Sequence, residues 1–160
     1  MASRVWLNLI MFATAVGLAV FLYIKPSFQP QTTYPISSLS KEAVQLIQIS
    51  SQHGTIELKR SNGNWLMTEP LQARADKTKV ERILDLLTTT SDYRLPPENL
   101  SRYGLAAPIA QLQVNHELFA FGQIAPVSNH QYVMTQSGIF LISPHHAMLL
   151  TVAPTELIDR

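Results

Sequence analysis

The chain has 160 residues, with twelve Lys/Arg against eleven Asp/Glu and no cysteine. Arg4 and Lys25 bracket the first apolar stretch, which leaves ten basic residues facing all eleven acidic ones; that balance lacks the clustered positive footprint of a nucleic-acid binder or the polybasic patch of a lipid-surface protein. Without cysteine there is no disulfide, thiolate nucleophile, lipoprotein acylation or Cys-based zinc site.

Val5–Ile24 reads VWLNLIMFATAVGLAVFLYI and carries no charge. At about 1.5 Å per residue this run matches a hydrocarbon core of roughly 30 Å. Trp6 and Tyr23 stand near its two ends, where amphipathic rings prefer the membrane interface. Gly17 follows Ala13 by four residues, a small-xxx-small pattern that lets helices pack closely. A cleaved signal peptide would need small residues after a shorter apolar run, whereas here Phe21-Leu22-Tyr23-Ile24 continues it. The expectation is residues 1–4 in the cytoplasm, an inner-membrane span over 5–24, an extended Pro/Ser/Thr/Gln-rich linker over 25–40, and a soluble periplasmic α+β domain over 41–160.

Val44–Ser50 is apolar and β-branched, a strand signal, and Thr55–Arg60 alternates with Ile56 and Leu58 on one face. Asn62-Gly63 is a strong hairpin signal because both residues tolerate positive φ. Trp65–Thr68 returns as a third strand, with Trp65 and Met67 facing alike, and Pro70 stops it. Asp76 caps a helix to about Leu87, with Val80, Ile83, Leu84 and Leu87 forming one apolar stripe. Asp92–Pro97 reads as loop. Glu98–Pro108 (ENLSRYGLAAP) reads as a short helical turn closed by Gly104, with Leu105 packing back.

Four more strands come after it: Ile109–Val114, Glu117–Phe121, Gln131–Thr135 and Ile139–Ser143. An irregular loop, Gly122–His130, separates the second from the third. Ser143 and Pro144 open a last short helix. The order β-β-β-α, then β-β-β-β-α, predicts antiparallel meanders with helices on one face, arranged as two similar lobes.

Ile56-Glu57-Leu58, Gly63-Asn64-Trp65 with Glu69-Pro70, Ala75-Asp76 with Val80, Tyr103-Gly104-Leu105 with Pro108, Phe121-Gly122 and Tyr132-Val133 occur in that order. In this pattern the chain resembles a family of uncharacterised membrane-anchored periplasmic domains found alongside gliding-motility-type ABC transporter auxiliary proteins. The resemblance implies a periplasm-facing α+β domain with no assigned activity, and it supplies no functional residues. Many relatives are longer and hold several such domains.

No nucleophile elbow, zincin motif, Walker loop or dinucleotide fingerprint is present. The five histidines, His53, His116, His130, His145 and His146, lack ligand spacing, so no metal and no cofactor is expected. Acidic residues of the Asp76 helix alternate with Lys77, Lys79 and Arg82, as on a solvated face. The candidate contact residues are three aromatics, Trp65, Tyr103 and Tyr132, and three residues of the long loop, Gln123, Asn129 and His130. Trp65 also reads as core, since it alternates inward with Met67. The expected function is a non-enzymatic anchored accessory protein that binds an envelope or transporter protein. The alternative is a small-ligand or glycan sensor with a pocket between lobes around Trp65, Tyr103 and Tyr132.

Overall fold

The structure, a computed structural model, describes residues 2–24 and 32–159, and the side chains of the first helix at Trp6–Phe21 and Tyr23. The chain divides into two compact units, Met1–Thr32 and Thr33–Arg160. The first contains helix α1, Ala2–Ile24. Large apolar side chains stand exposed along it, with Trp6 at 72% and Tyr23 at 93% of full exposure. Its one threonine turns its hydroxyl inward: Thr14 Oγ1 donates to the carbonyls of Ile10 (3.0 Å) and Met11 (2.9 Å). A Cβ added at Gly17 would meet nothing within 4 Å. Among the described residues no helix is long and apolar enough to cross a membrane.

The second unit is α+β. Its strands are β1 (Tyr34–Pro35), β2 (Leu46–Ser51), β3 (Gly54–Ser61), β4 (Asn64–Glu69), β5 (Ala73–Arg74), β6 (Thr90–Ser91), β7 (Arg94–Leu95), β8 (Ala110–Val114), β9 (Glu117–Ile124), β10 (Gln131–Thr135) and β11 (Gly138–Ile142); its helices are α2 (Lys77–Leu84) and α3 (His145–Leu150). Nine strands form one antiparallel sheet in the order β5-β4-β3-β2-β8-β9-β10-β11-β7. Two similar lobes were expected; in the structure β2 pairs with β8, Ile47 opposite Val114 and Ile49 opposite Leu112, and joins the two meanders edge to edge in one sheet. Two half-sheets that each end on a strand with buried apolar side chains lose less by pairing than by leaving those backbone groups unpaired.

One sheet face presents Ile47, Ile49, Ile56, Leu58, Trp65, Met67, Leu112, Phe119, Phe121, Val133 and Phe140, all buried. Val80, Ile83 and Leu84 of α2 and Ala147 and Leu150 of α3 complete that core. The opposite face is wet over the first meander. There Glu57 accepts from Gln48 Nε2 (3.1 Å) and Thr68 Oγ1 (2.7 Å), and Lys59 Nζ lies 2.7 Å from it. The bond from Lys59, then that from Thr68, hold the Glu57 carboxyl below its usual pKa. Over the second meander the same face is covered by a small cluster centred on Leu105, Ala120 and Ile139.

Local signals place most elements. Asn62 (φ 50°) and Gly63 (φ 79°) make the β3–β4 turn with positive φ at both positions. Asp76 accepts from the amides of Thr78 (2.9 Å) and Lys79 (3.3 Å) and so caps α2. The α-helix stops at Leu84 and tightens into a 3-10 turn, Asp85–Thr88, where the Thr88 and Thr89 hydroxyls both donate to the Asp85 carbonyl. At the far end Ser143 Oγ accepts from the His145 amide at 3.4 Å, one residue later than the expected start of α3.

Three segments depart from expectation. Residues 25–31 of the expected linker lie outside the described residues, but Tyr34–Leu39 packs on the domain: Ile36 is buried and β1 pairs with β6. Two residues of the expected loop Asp92–Pro97 form β7, because β11 offers a free edge, Leu95 opposite Ile139. Strand β9 runs on through Gly122 to Ile124, so the expected loop Gly122–His130 shrinks to Ala125–His130.

Asn115 clasps the junction between the meanders. Its Oδ1 accepts from the amides of Gln45 (3.0 Å) and Leu46 (3.1 Å), and its Nδ2 donates to the Ala43 carbonyl (3.1 Å). Asn115→Gly keeps the positive φ of the turn and deletes these three bonds; it should lower unfolding stability by about 1–2 kcal/mol. Chemical denaturation of the full chain in detergent reads this, and an unchanged midpoint would remove Asn115 from the junction.

Candidate functional site

The six candidate residues do not gather at one point. Trp65 is 3% exposed, faces the helix-covered core, and carries Arg60 at 5.9 Å from its ring. Tyr103 and Tyr132 meet on the other sheet face, ring centroids 4.7 Å apart and tilted by 53°. A single pocket around all three is therefore not formed. The strand period explains it: Val133 points into the main core, so Tyr132 beside it points away.

Gln123 explains the Tyr103 turn. The Leu100–Tyr103 turn opens at Asn99 (φ 53°) and closes at Gly104 (φ 69°), where the Leu105 amide donates back to the Leu100 carbonyl at 2.9 Å. Gln123 Nε2 donates to the Arg102 carbonyl at 2.7 Å and ties this turn to β9. Gly122 permits the approach: a Cβ there would lie 2.2 Å from the Tyr103 carbonyl oxygen. Both aromatics thus serve to seat the turn. The dipeptide Phe121-Gly122 was visible in the sequence, but a glycine inside a strand discloses a close backbone approach only when its partner is known.

On the helix side of the same strand end lies a groove of about 230 Å³ between α3 and the ends of β9 and β10. Ile109, Gln123, Ile124, Gln131, Ala147 and Met148 contribute to its lining, and no lining residue is charged. Ile109, Ile124 and Met148 are large, apolar and substantially exposed. Gln131 is buried; its Nε2 donates to the Gly122 carbonyl at 2.9 Å, while its Oε1 has no hydrogen-bond partner among the described residues. The loop Ala125–His130 joins two lining residues, Ile124 and Gln131. Its shape is set internally: the Ala125 amide donates to the His130 carbonyl (2.7 Å), Asn129 adopts φ 53°, and His130 Nδ1 donates to the Ser128 carbonyl (2.7 Å). Val127 at its tip is 98% exposed. Asn129 and His130 are exposed too, and the Asn129 amide, which donates to the Ala125 carbonyl at 3.3 Å, and the His130 ring help to fold the loop. The sequence did not single out Ile109 or Met148: the first opens a predicted strand and the second falls in the predicted last helix, and no local pattern marks either as a groove residue.

The groove can seat an apolar side chain, since it offers apolar walls and no charge to desolvate. It holds nothing resembling a nucleophile with a base. Among the described residues no three His, Asp or Glu side chains gather as a metal site.

These features fall within a recognisable stretch of chain. The chain belongs to the family described as a domain of unknown function, DUF4340. Its family model matches residues 65–160, more than half of the chain. No curated protein and no solved structure matches. The DUF4340 stretch includes the groove, the Tyr103 turn and both helices of the domain; β2 and β3, which precede it, continue the same sheet.

His146 sits in the first turn of α3, half-buried, with Nε2 at 3.3 Å from Thr89 Oγ1 and a buried Nδ1 lacking a partner among the described residues. Burial, and then the neighbouring His145, push its pKa below the usual 6.5, with Asp85 opposing. As pH falls, the unfolded chain binds the extra proton first, so stability should fall as pH drops from about 7.5 towards about 5.5. His146→Gln should flatten this slope in thermal melts across the range; an unchanged slope would contradict the assignment. Independently, Gly122→Ala must displace the Tyr103 turn and should lower stability by about 2 kcal/mol or more, measured by chemical denaturation, while Gln123→Ala, which removes one exposed bond, should cost about 1 kcal/mol.

Proposed function

We propose that this DUF4340 protein is a non-enzymatic accessory protein of the bacterial inner membrane, anchored by α1, whose periplasmic domain holds an envelope or transporter protein through the groove beside α3. The groove carries the reading. Three large apolar side chains, Ile109, Ile124 and Met148, converge on a recess free of charged lining, and a monomer has no use for exposing them together. A protein side chain is the natural occupant: a recess of about 230 Å³ admits one large apolar side chain, and the exposed Val127 loop adjoining it extends the contact area.

The anchor is supported by the uncharged run Val5–Ile24 of the sequence, which exceeds the described side chains at both ends. The inward-bonded Thr14 hydroxyl suits an apolar solvent. Trp6 and Tyr23 occupy the two interfaces in this reading, and Ala13-x-x-x-Gly17 offers an open face to another helix. Strand addition at a sheet edge is a poorer route to a partner. β7 is two residues long, and the outer side of β5 is occupied by the chain's own end, where Ala75 pairs with Ile158 and the Asp159 amide donates to the Arg74 carbonyl at 3.0 Å.

In-cell crosslinking from position 148 followed by purification should recover a defined membrane-associated protein, and Met148→Asp or Ile124→Asp should reduce its recovery by about tenfold. Leu66→Asp, on the wet sheet face, should leave recovery unchanged. Equal recovery from all three variants would sink the groove, and a C-terminal phosphatase fusion active only in the cytosol would sink the topology.

A further inference from the structure

A second recess, of about 300 Å³, lies elsewhere on the domain, lined by Pro35–Ser38, Glu117–Phe119 and Thr135–Ser137. Three chain segments far apart in sequence build it, and its one ionisable lining group is the half-buried Glu117 carboxylate. Ser37 fixes that carboxylate. Its hydroxyl donates to Glu117 Oε2 at 2.6 Å and in turn accepts from the Leu39 amide at 3.0 Å. The other oxygen, Oε1, has only the Ser38 hydroxyl at 3.4 Å. Among the described residues Glu117 makes no ion pair. Arg94, the cation bonded to a lining residue, spends its Nε and Nη2 on the Ser137 carbonyl at 2.9 and 2.6 Å.

A carboxylate drawn partly out of water loses hydration, and here hydroxyl donors make up only part of that loss. The residue that would ordinarily complete it, a lysine or arginine of the same chain, is missing among the described residues. The rest of the recess lining is rich in acceptors: the Ser37, Ser38, Thr135 and Ser137 hydroxyl oxygens and the Gln136 carboxamide. Pro35, Ile36, Leu118 and Phe119 supply apolar wall beside them. A group with several N–H donors, one positive charge and an aliphatic stem complements both parts.

We propose that the Glu117 recess is a binding site for a primary ammonium on an aliphatic chain, with the ammonium on Glu117 Oε1 and the stem along Ile36 and Leu118. A free alkylamine and a lysine side chain share this chemistry. The site is independent of the groove beside α3 and stands or falls separately.

Titration calorimetry on the full chain in a neutral detergent tests it with three probes: n-butylammonium, its uncharged analogue n-butanol, and Nα-acetyl-lysine methylamide. Both amines should bind and butanol should not; Glu117→Gln should weaken amine binding by about tenfold or more. Tighter binding of the lysine derivative identifies a peptide side chain as the source, and equal binding identifies a free amine. Because Glu117→Gln also removes a contact to the Tyr34–Leu39 segment, the wild-type chain supplies a second reading: butylammonium should shift the Glu117 carboxyl carbon resonance and leave that of Glu57 in place. Butanol binding as well as the amines, an unaffected Glu117→Gln, or equal shifts at Glu57 and Glu117 would each overturn the proposal.

Discussion

Pairing of β2 with β8 turns two meanders into one sheet, and the shared core and the junction clasp depend on it. Each meander alone would offer one apolar face and one open edge, a combination that small sheets manage poorly in water. Joined through Ile47–Val114 and Ile49–Leu112, they share a single core in which α2 and α3 cover a common surface. Asn115 secures the join where it is most exposed to fraying: its one side chain bonds the β8–β9 turn to the entry of β2. The recesses form around this frame. The groove exists because α3 lies beside the ends of β9 and β10, and the Glu117 recess exists because the chain before β2 folds back to the start of β9.

The two sheet faces are used unequally, and the inequality narrows where a partner can sit. The wet face of the first meander is a mutually satisfied network of Gln48, Glu57, Lys59 and Thr68. Such a surface gains little by exchanging these bonds for others. The same face of the second meander is already covered by the Tyr103 turn, held by Gln123 and admitted by Gly122. Both sheet edges are short, and one is closed by the chain's own C-terminal segment. Among the described surfaces, the apolar groove lacks an apolar occupant and the Glu117 carboxylate lacks a cation.

The contrast between what could and could not be read from sequence tracks interaction range. Asn62-Gly63, the Asp76 cap, the stripe Val80-Ile83-Leu84-Leu87 and the Gly104 stop are each encoded within a few residues, and the structure shows all of them. The β2–β8 pairing, the two-residue strands β1 and β7, and the folding of Tyr34–Leu39 onto the domain depend on partners dozens of residues away, and no local pattern announces them. The candidate aromatics show the same limit. Alternation turns Trp65 inward and Tyr132, beside the buried Val133, away from the core, yet only the fold brings the Tyr103 turn over that side chain.

The recesses were the least legible part because their signals are deficits. Glu117 is ordinary in sequence, one acidic residue at the start of a strand. Its meaning comes from what the fold withholds: Arg94, close in structure through β7 and β11, is committed to the Ser137 carbonyl, and the described ion pairs pass Glu117 by. Likewise Met148 is one residue of a short helix in the sequence, and it matters because the fold leaves it exposed beside the ends of β9 and β10, where it lines the groove. A fold that bonds most of its buried polar groups concentrates its unmet chemistry in a few places. In this DUF4340 domain the groove is built where α3 meets the ends of β9 and β10, and the Glu117 recess where the chain before β2 meets the β9 and β10 strands, so both are made at the boundaries between elements.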